Sequence, residues 1–470
     1  MEVLAPGREA MTAFRLQEAE RYFQQWVLHE ETGSFATYYL TMIAYWKAMI
    51  KETPEQVGAF LMRAGKTIDQ LKQQEESPWN TFFLAEVYLQ RAVVQIHRGK
   101  YLKGMWDGKR AFKLYKHAVS MWPTFYDAYK GLGLLHVVAG SVPRSYRWLL
   151  NLFGYGGSVE QGIKELEQAA ERSYLSREEA TVYVALVDLS LNEALERGEE
   201  RLSVLYEEKP WSPLAAYFYA YSLLKNRKAV EAEHILRKTE QQLQESGYTT
   251  FPFITYYLGD ALFRQNRFQE AAHYFQRFLD TFQGKTLVPM ACVKLGLSLE
   301  MVGDYPGAVA YYRRAHALSD FDIDKRAERI ARERLQRPMT PAERMLLQGA
   351  NAYDGGRYEE AIRQLRALFE DEQTPPALRT EAAYRLGRTY HALGDHERAR
   401  TYYRYAVTHV VDPRAKWSPW AQFYLGELAE AEGRMQQARE AYRAALDWKG
   451  PFDYEKALEQ RARVALSRLR

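Results

Sequence analysis

From Pro252 onward the sequence repeats one spacing, and that repetition constrains the fold more than any other feature. A Leu-Gly pair or its equivalent is followed seven residues later by a turn residue, then by Ala and a large side chain. The first copy carries Leu258, Gly259, Asn266, Phe268, Ala271 and Phe275, and the second Leu295, Gly296, Gly303, Tyr305, Ala308 and Tyr312. The third has Gly349, Gly356, Tyr358, Ala361 and Leu365, and the fourth Leu386, Gly387, Gly394, His396, Ala399 and Tyr403. The fifth has Leu425, Gly426, Gly433, Met435, Ala438 and Tyr442. Each copy reads as two helices joined by a turn, because Gly or Asn supplies the positive φ at which a helix ends. One such hairpin cannot bury its own apolar face, so stacked neighbours must supply the core. The expected fold class is all-α, an α-α superhelical solenoid.

These residues resemble the tetratricopeptide consensus, in which small residues sit where two helices cross and aromatics fill the spaces between hairpins. At 470 residues the chain exceeds an ordinary single domain, but a repeat array grows by adding units to a continuous core. Hydrophobic residues make up 47% and charged residues 26%, which describes a folded chain rather than a disordered one. A net charge of +4 is too small an excess for the dense phosphate neutralisation of nucleic-acid binding, so no nucleic-acid partner is expected. Cys292 is the single cysteine, which excludes an intramolecular disulfide and a cysteine-based zinc site.

The spacing of the repeat glycines divides the chain. Gly259 and Gly296 are 37 residues apart, whereas Gly296 and Gly349 are 53 apart, leaving room for one extra helix. The expected organisation is N-terminal helical hairpins at 1–122 and a hairpin at 123–175 that carries an apolar insert at 141–157. Irregular hairpins follow at 176–248, then tetratricopeptide repeats at 249–319, a charged helical connector at 320–338, further repeats at 339–450 and a capping helix at 451–470.

The insert is the main irregularity. Gly133 and Gly162 read as the two small residues of one hairpin, yet they lie 29 residues apart where an ordinary repeat has 12, so seventeen residues have entered the turn. The inserted stretch contains Pro143, Trp148, Leu149, Phe153 and Tyr155, apolar where a surface turn should be polar. Pro143, Leu149-Leu150, Gly154-Tyr155-Gly156-Gly157, Gly162 and Leu166 resemble, in order and spacing, the tetratricopeptide repeat domain 39 and inclusion body clearance protein family. The resemblance implies a repeat-built protein without enzymatic activity, whose fungal members are linked to clearing aggregates in cooperation with lipid stores. The abundance of Arg over Lys and the short chain suit a bacterial relative.

No catalytic constellation is legible. Gly65-Lys66-Thr67 imitates a phosphate-binding loop, but Phe60 stands where its first glycine belongs. His29-Glu30 lacks the second histidine of a zinc-binding helix, and His391 and His396 fall near the end of one helix and the start of the next, where packing or capping is expected rather than a metal. The chain is read as not an enzyme, with no cofactor and no metal.

In a tetratricopeptide array the first helix of each hairpin lines the concave surface. Register then assigns a partner-binding groove to Tyr256, Asp260, Phe263, Tyr384, Arg388, His391, Phe423 and Glu427. Aromatics mixed with both charge signs suit an extended peptide, so the expected function is a protein-interaction scaffold that binds peptide segments or protein surfaces. The Lys and Asn positions that clamp a terminal carboxylate in chaperone adaptors are Tyr256, Val293 and Tyr384 here. The alternative is a binder of apolar small molecules or of a lipid membrane surface through the 141–157 insert. Lys109, Lys113 and Lys116, with Arg110 and Trp106, form a second basic and aromatic face that would suit anionic lipid. The absence of a basic-then-apolar leader points to the cytoplasm, or to the periplasm after removal of a signal peptide.

Overall fold

A computed structural model describes residues 2–141, 156–191, 194–245, 247–319, 322–448 and 452–469. They form twenty-four α-helices and one 3-10 turn, with no strand among the described residues, and the fold is an α-α solenoid of helical hairpins. The chain divides into two compact units. One comprises residues 1–226, 234–255 and 280–285, and the other residues 227–233, 256–279 and 286–470.

The first unit opens with α1 (Ala5–Thr12), α2 (Leu16–Gln24), α3 (Gly33–Lys51), α4 (Pro54–Lys72), α5 (Pro78–His97) and α6 (Tyr101–Met121). It continues through α7 (Asp127–Ser141), α8 (Val159–Arg172), α9 (Arg177–Ser190), α10 (Leu195–Glu208), α11 (Pro213–Lys225) and most of α12 (Ala229–Leu243). Several starts are written in the sequence as Ser or Thr before Pro. Thr53, Ser77 and Ser212 each accept a hydrogen bond from the backbone N–H three residues on, and proline fills the first helical position, where no N–H is needed.

Helices α7 and α8 pack as a hairpin despite the sequence between them. Their crossing point is Gly133 against Gly162, where a methyl on Gly133 would stand 2.7 Å from the Gly162 carbonyl oxygen. Only residues without a side chain allow backbones this close. Pro143, Trp148, Leu149, Phe153 and Tyr155 lie outside the described residues.

A buried ionic cluster ties five helices of this unit together. Lys130 of α7 is 1% exposed and donates to Glu86 of α5 at 2.6 Å and to Glu179 of α9 at 2.7 Å. Glu86, 2% exposed, also accepts from Tyr115 of α6 and from Tyr38 of α3. Burial pushes the Lys130 ammonium down, but Glu179 and Glu86 outweigh it and hold the group protonated. Tyr38 and Tyr39 are buried packing residues, whereas Tyr45 and Trp46 are half-buried. The unit also folds back on its beginning. Phe14, at a left-handed φ of 63°, accepts from the Thr249 N–H at 2.9 Å and packs its ring 4.9 Å from Phe251.

The second unit holds the regular repeats. Its hairpins are most of α13 (Pro252–Arg264) with most of α14 (Phe268–Thr281), then α15 (Val288–Met301) with α16 (Tyr305–Arg314), and α18 (Pro341–Asp354) with α19 (Tyr358–Glu370). They are followed by α20 (Pro376–Ala392) with α21 (His396–Thr408) and α22 (Trp417–Ala431) with α23 (Met435–Leu446). The turn residues Asn266, Gly303, Gly356, Gly394 and Gly433 all have positive φ, between 60° and 97°. After each, an N–H reaches back five residues to a carbonyl, as from Arg267 to Leu262 and from Asp395 to Tyr390, which closes the helix end. At the turn before α12 the left-handed residue is Arg227, with φ 62°, rather than its neighbour Asn226.

The repeat glycines are explained by what faces them. A methyl on Gly259, Gly296, Gly387 or Gly426 would meet the ring of Phe275, Tyr312, Tyr403 or Tyr442 at 2.4–2.9 Å, and one on Gly349 would meet Leu365 at 2.7 Å. Each of those side chains is at most 1% exposed and comes sixteen residues after its glycine. The helical connector is α17 (Asp322–Arg334), which packs on α15 and α16, with Tyr305 donating to the Arg334 carbonyl at 2.8 Å. At the C-terminus α24 (Glu455–Arg468) lays Leu458, Ala462 and Ala465 against α22 and α23 and covers the last hairpin.

Candidate functional site: the inner face of the repeats

The first helix of each hairpin in the second unit presents its inner side to neighbouring hairpins, and most of that side is filled. Tyr256, Asp260, Phe263, Tyr384 and Phe423 are buried, while Arg388, His391 and Glu427 are half-buried. Five of the eight expected groove positions are therefore packing residues in this structure, and three keep partial exposure. The end of α13 is pinned directly to the α18–α19 hairpin, with Asn351 donating to the Phe263 carbonyl at 2.8 Å and Asn266 donating to the Gln348 carbonyl at 3.1 Å.

Cations lying over aromatic faces form the lining. Lys294 sits 5.6 Å from the Tyr256 ring, Arg385 5.0 Å from Trp417, and Arg388 4.1 Å from Tyr424. Such contacts gain about 0.5–2 kcal/mol each, more as water is excluded. Asp260 holds Arg264 at 3.0 Å and also pairs with Lys294. Burial raises the Asp260 carboxyl, but those two cations outweigh it and bring it to about 2. Arg385 pairs with Glu381 one turn earlier at 2.6 Å.

Two groups carry the opposite strain. His391 stands 3.3 Å from the Tyr403 hydroxyl, and its imidazole is pushed down to about 4 by burial, then by Arg388, His396 and Arg227. Its ring centroid is 5.8 Å from that of His396, yet no group of three potential ligands is placed for a metal among the described residues. Lys416, at the start of α22, lies 4.7 Å from the Tyr454 ring and is lowered to about 7 by burial, then by Arg326 and Arg385, against the smaller opposing pull of Glu381 and Asp354.

A stability prediction follows from Lys416. A free lysine titrates near pH ~10.4, so below pH 7 both folded and unfolded chains carry the charge and folding bears its full cost. Between pH 7 and about 10 only the unfolded chain keeps the proton, and stability rises with pH. Lys416→Met should stabilise the protein at pH 6 by about 1–2 kcal/mol, the half-exposed setting discounting the buried-charge figure. Urea midpoints at pH 6 and pH 10 check this, and the gain should shrink at the higher pH.

Cys292 is buried in α15, with its thiol pushed up to about 11 by burial, which fits a packing role. In the first unit, Trp106 is 52% exposed with Lys109 5.4 Å from its ring, and Lys113 and Lys116 are exposed. Arg110 lies on the same helix but is spent on Asp107 and on the Tyr88 ring. Gly65, Lys66 and Thr67 lie inside α4, with no loop at that position. The sequence reading did not single out Arg227, Tyr353, Lys416 or Lys130. A lysine inside the apolar run from Leu132 back to Ala128 was the one available signal, for Lys130.

Comparison with known proteins agrees with this geometry. Residues 256–323 and 346–418 match one tetratricopeptide repeat family, and residues 421–451 match a second. These segments are tetratricopeptide repeats. The matched tetratricopeptide residues include every glycine and facing side chain of the five hairpins, from Gly259 with Phe275 to Gly426 with Tyr442. No curated protein matches the chain. Among the described residues no helix is long and apolar enough to cross a membrane.

Proposed function

We propose that the protein is a non-catalytic scaffold that holds an extended peptide or a protein surface on the inner face of its second unit. The observation that carries this reading is the half-buried row Arg388, His391 and Glu427, set on α20 and α22 among the buried aromatics Tyr384, Phe423 and Tyr424. Rigid aromatic walls supply affinity at low entropic cost, and polar groups with one accessible edge set register. Tetratricopeptide repeats generally mediate protein–protein interaction, which supports the same reading.

Peptide-display panning against the whole chain tests it, with a photo-crosslinking residue in each selected peptide. Crosslinks on α20 and α22, lost together with binding in Tyr384→Ala/Arg388→Ala, are the expected result. Selection of no peptide, or crosslinks confined to other helices, would overturn the reading.

The finer family reading, a relative of the tetratricopeptide repeat domain 39 and inclusion body clearance proteins, is supported by the close crossing of Gly133 and Gly162. A lipid or apolar ligand at the 141–157 insert is the competing function. Native mass spectrometry showing stoichiometric lipid on the purified protein would favour it.

A further inference from the structure

Two guanidiniums that approach the same tyrosine in the second unit have no counter-ion among the described residues. Arg388 makes one hydrogen bond, to the Tyr384 hydroxyl at 3.3 Å, and lies 5.7 Å from the Tyr353 ring as well as over Tyr424. Arg227 approaches the same Tyr353 ring at 4.5 Å. Neither pairs with a carboxylate among the described residues, although other cations of this unit do, Arg264 and Lys294 with Asp260, Arg385 with Glu381, and Arg357 with Glu360. Tyr353 is 6% exposed, and its hydroxyl has no hydrogen-bond partner.

This is an unusual concentration of unmet polar demand. Withdrawing an unpaired charge even partly from water is unfavourable, and stacking on tyrosine rings returns only part of that cost. The same charges reach His391, whose imidazole is kept low first by burial, then by Arg388, with His396 and Arg227 adding less. Guanidinium forks match carboxylate oxygens, and a phenol hydroxyl is a good donor to them.

We propose that Arg227, Tyr353 and Arg388 form an anion seat that takes a carboxylate of an acidic peptide segment. This rests on the scaffold reading and names the chemistry of its partner. A carboxylate there would neutralise the two arginines.

The test uses the full chain and capped tetraglutamate peptide, with tetraglutamine and inorganic phosphate at matched ionic strength as the other arms. Calorimetry should show tetraglutamate binding that weakens at least tenfold in Arg388→Gln and in Arg227→Gln, but not in Arg363→Gln, an exposed arginine of α19. Histidine-selective NMR on the unaltered protein should show the His391 pKa rising from about 4 toward its ordinary value as tetraglutamate saturates, a readout that needs no variant. An unmoved His391 titration overturns the seat. So does equal binding of tetraglutamine, and so does phosphate binding as tightly as the peptide, which would make the seat one for small anions. Panned peptides that bind at α20 and α22 but lack acidic residues leave the scaffold reading standing and overturn only the seat.

Discussion

Lys130→Met should destabilise the first unit by about 3–5 kcal/mol, the cost of leaving a buried charge without its partner. Glu86 is 2% exposed, and without Lys130 it keeps only the two tyrosine hydroxyls of Tyr115 and Tyr38 as donors. The methionine fills much of the same volume, so the loss reports charge rather than a cavity. Adding Glu86→Gln to Lys130→Met should recover part of the loss, because a neutral amide is cheaper to bury than a carboxylate. The urea midpoint by circular dichroism reads both effects. An unchanged midpoint in the single variant would mean that Glu86 simply takes up a proton and that the cluster adds nothing to stability.

Tyr403→Ala should cost about 3–5 kcal/mol in the second unit, as is usual for removing a buried ring from a packed core. The ring fills the space left by the missing side chain of Gly387, lies stacked 5.6 Å from Tyr424 and is fully buried. Gly387 cannot grow to fill the hole without a compensating change, so Gly387→Ala in the same chain is the informative partner. Alone it should also destabilise, by about 1–3 kcal/mol through overpacking. Combined with Tyr403→Ala it should cost less than the sum. Because an array is stable as a sum over neighbours, amide exchange should rise in α20, α21 and α22 and stay near native in the first unit. Uniform exchange through both units would show that the array unfolds as one body.

The difference between what sequence revealed and what it hid follows the range of the interaction. The hairpins were legible because their determinants are local. Gly394 must take a positive φ, and Gly387 must leave room for a ring sixteen residues later, so spacing alone exposes both. The inner face was legible only as a register. Spacing places Arg388 and His391 on it, but the hold on the end of α13, where Asn351 donates to the Phe263 carbonyl, comes from α18, some ninety residues on. Arg227 sits in the turn before α12, where spacing says nothing about what its side chain meets. Its approach to Tyr353 spans more than a hundred residues, and no periodicity records such a contact.

The crossing of Gly133 and Gly162 separates two tasks that a short turn normally performs together, joining the helices and aligning them. Here the alignment is held by the crossing itself, and the helix ends remain adjacent, since a methyl on Gly140 would stand 2.5 Å from the Val159 nitrogen. A segment spliced in at that point starts and finishes at nearly the same place, and doubling its length costs only about 0.6 kcal/mol in closure entropy. The site is therefore a natural port. An engineer could seat a reporter peptide there and expect the array around it to stay intact.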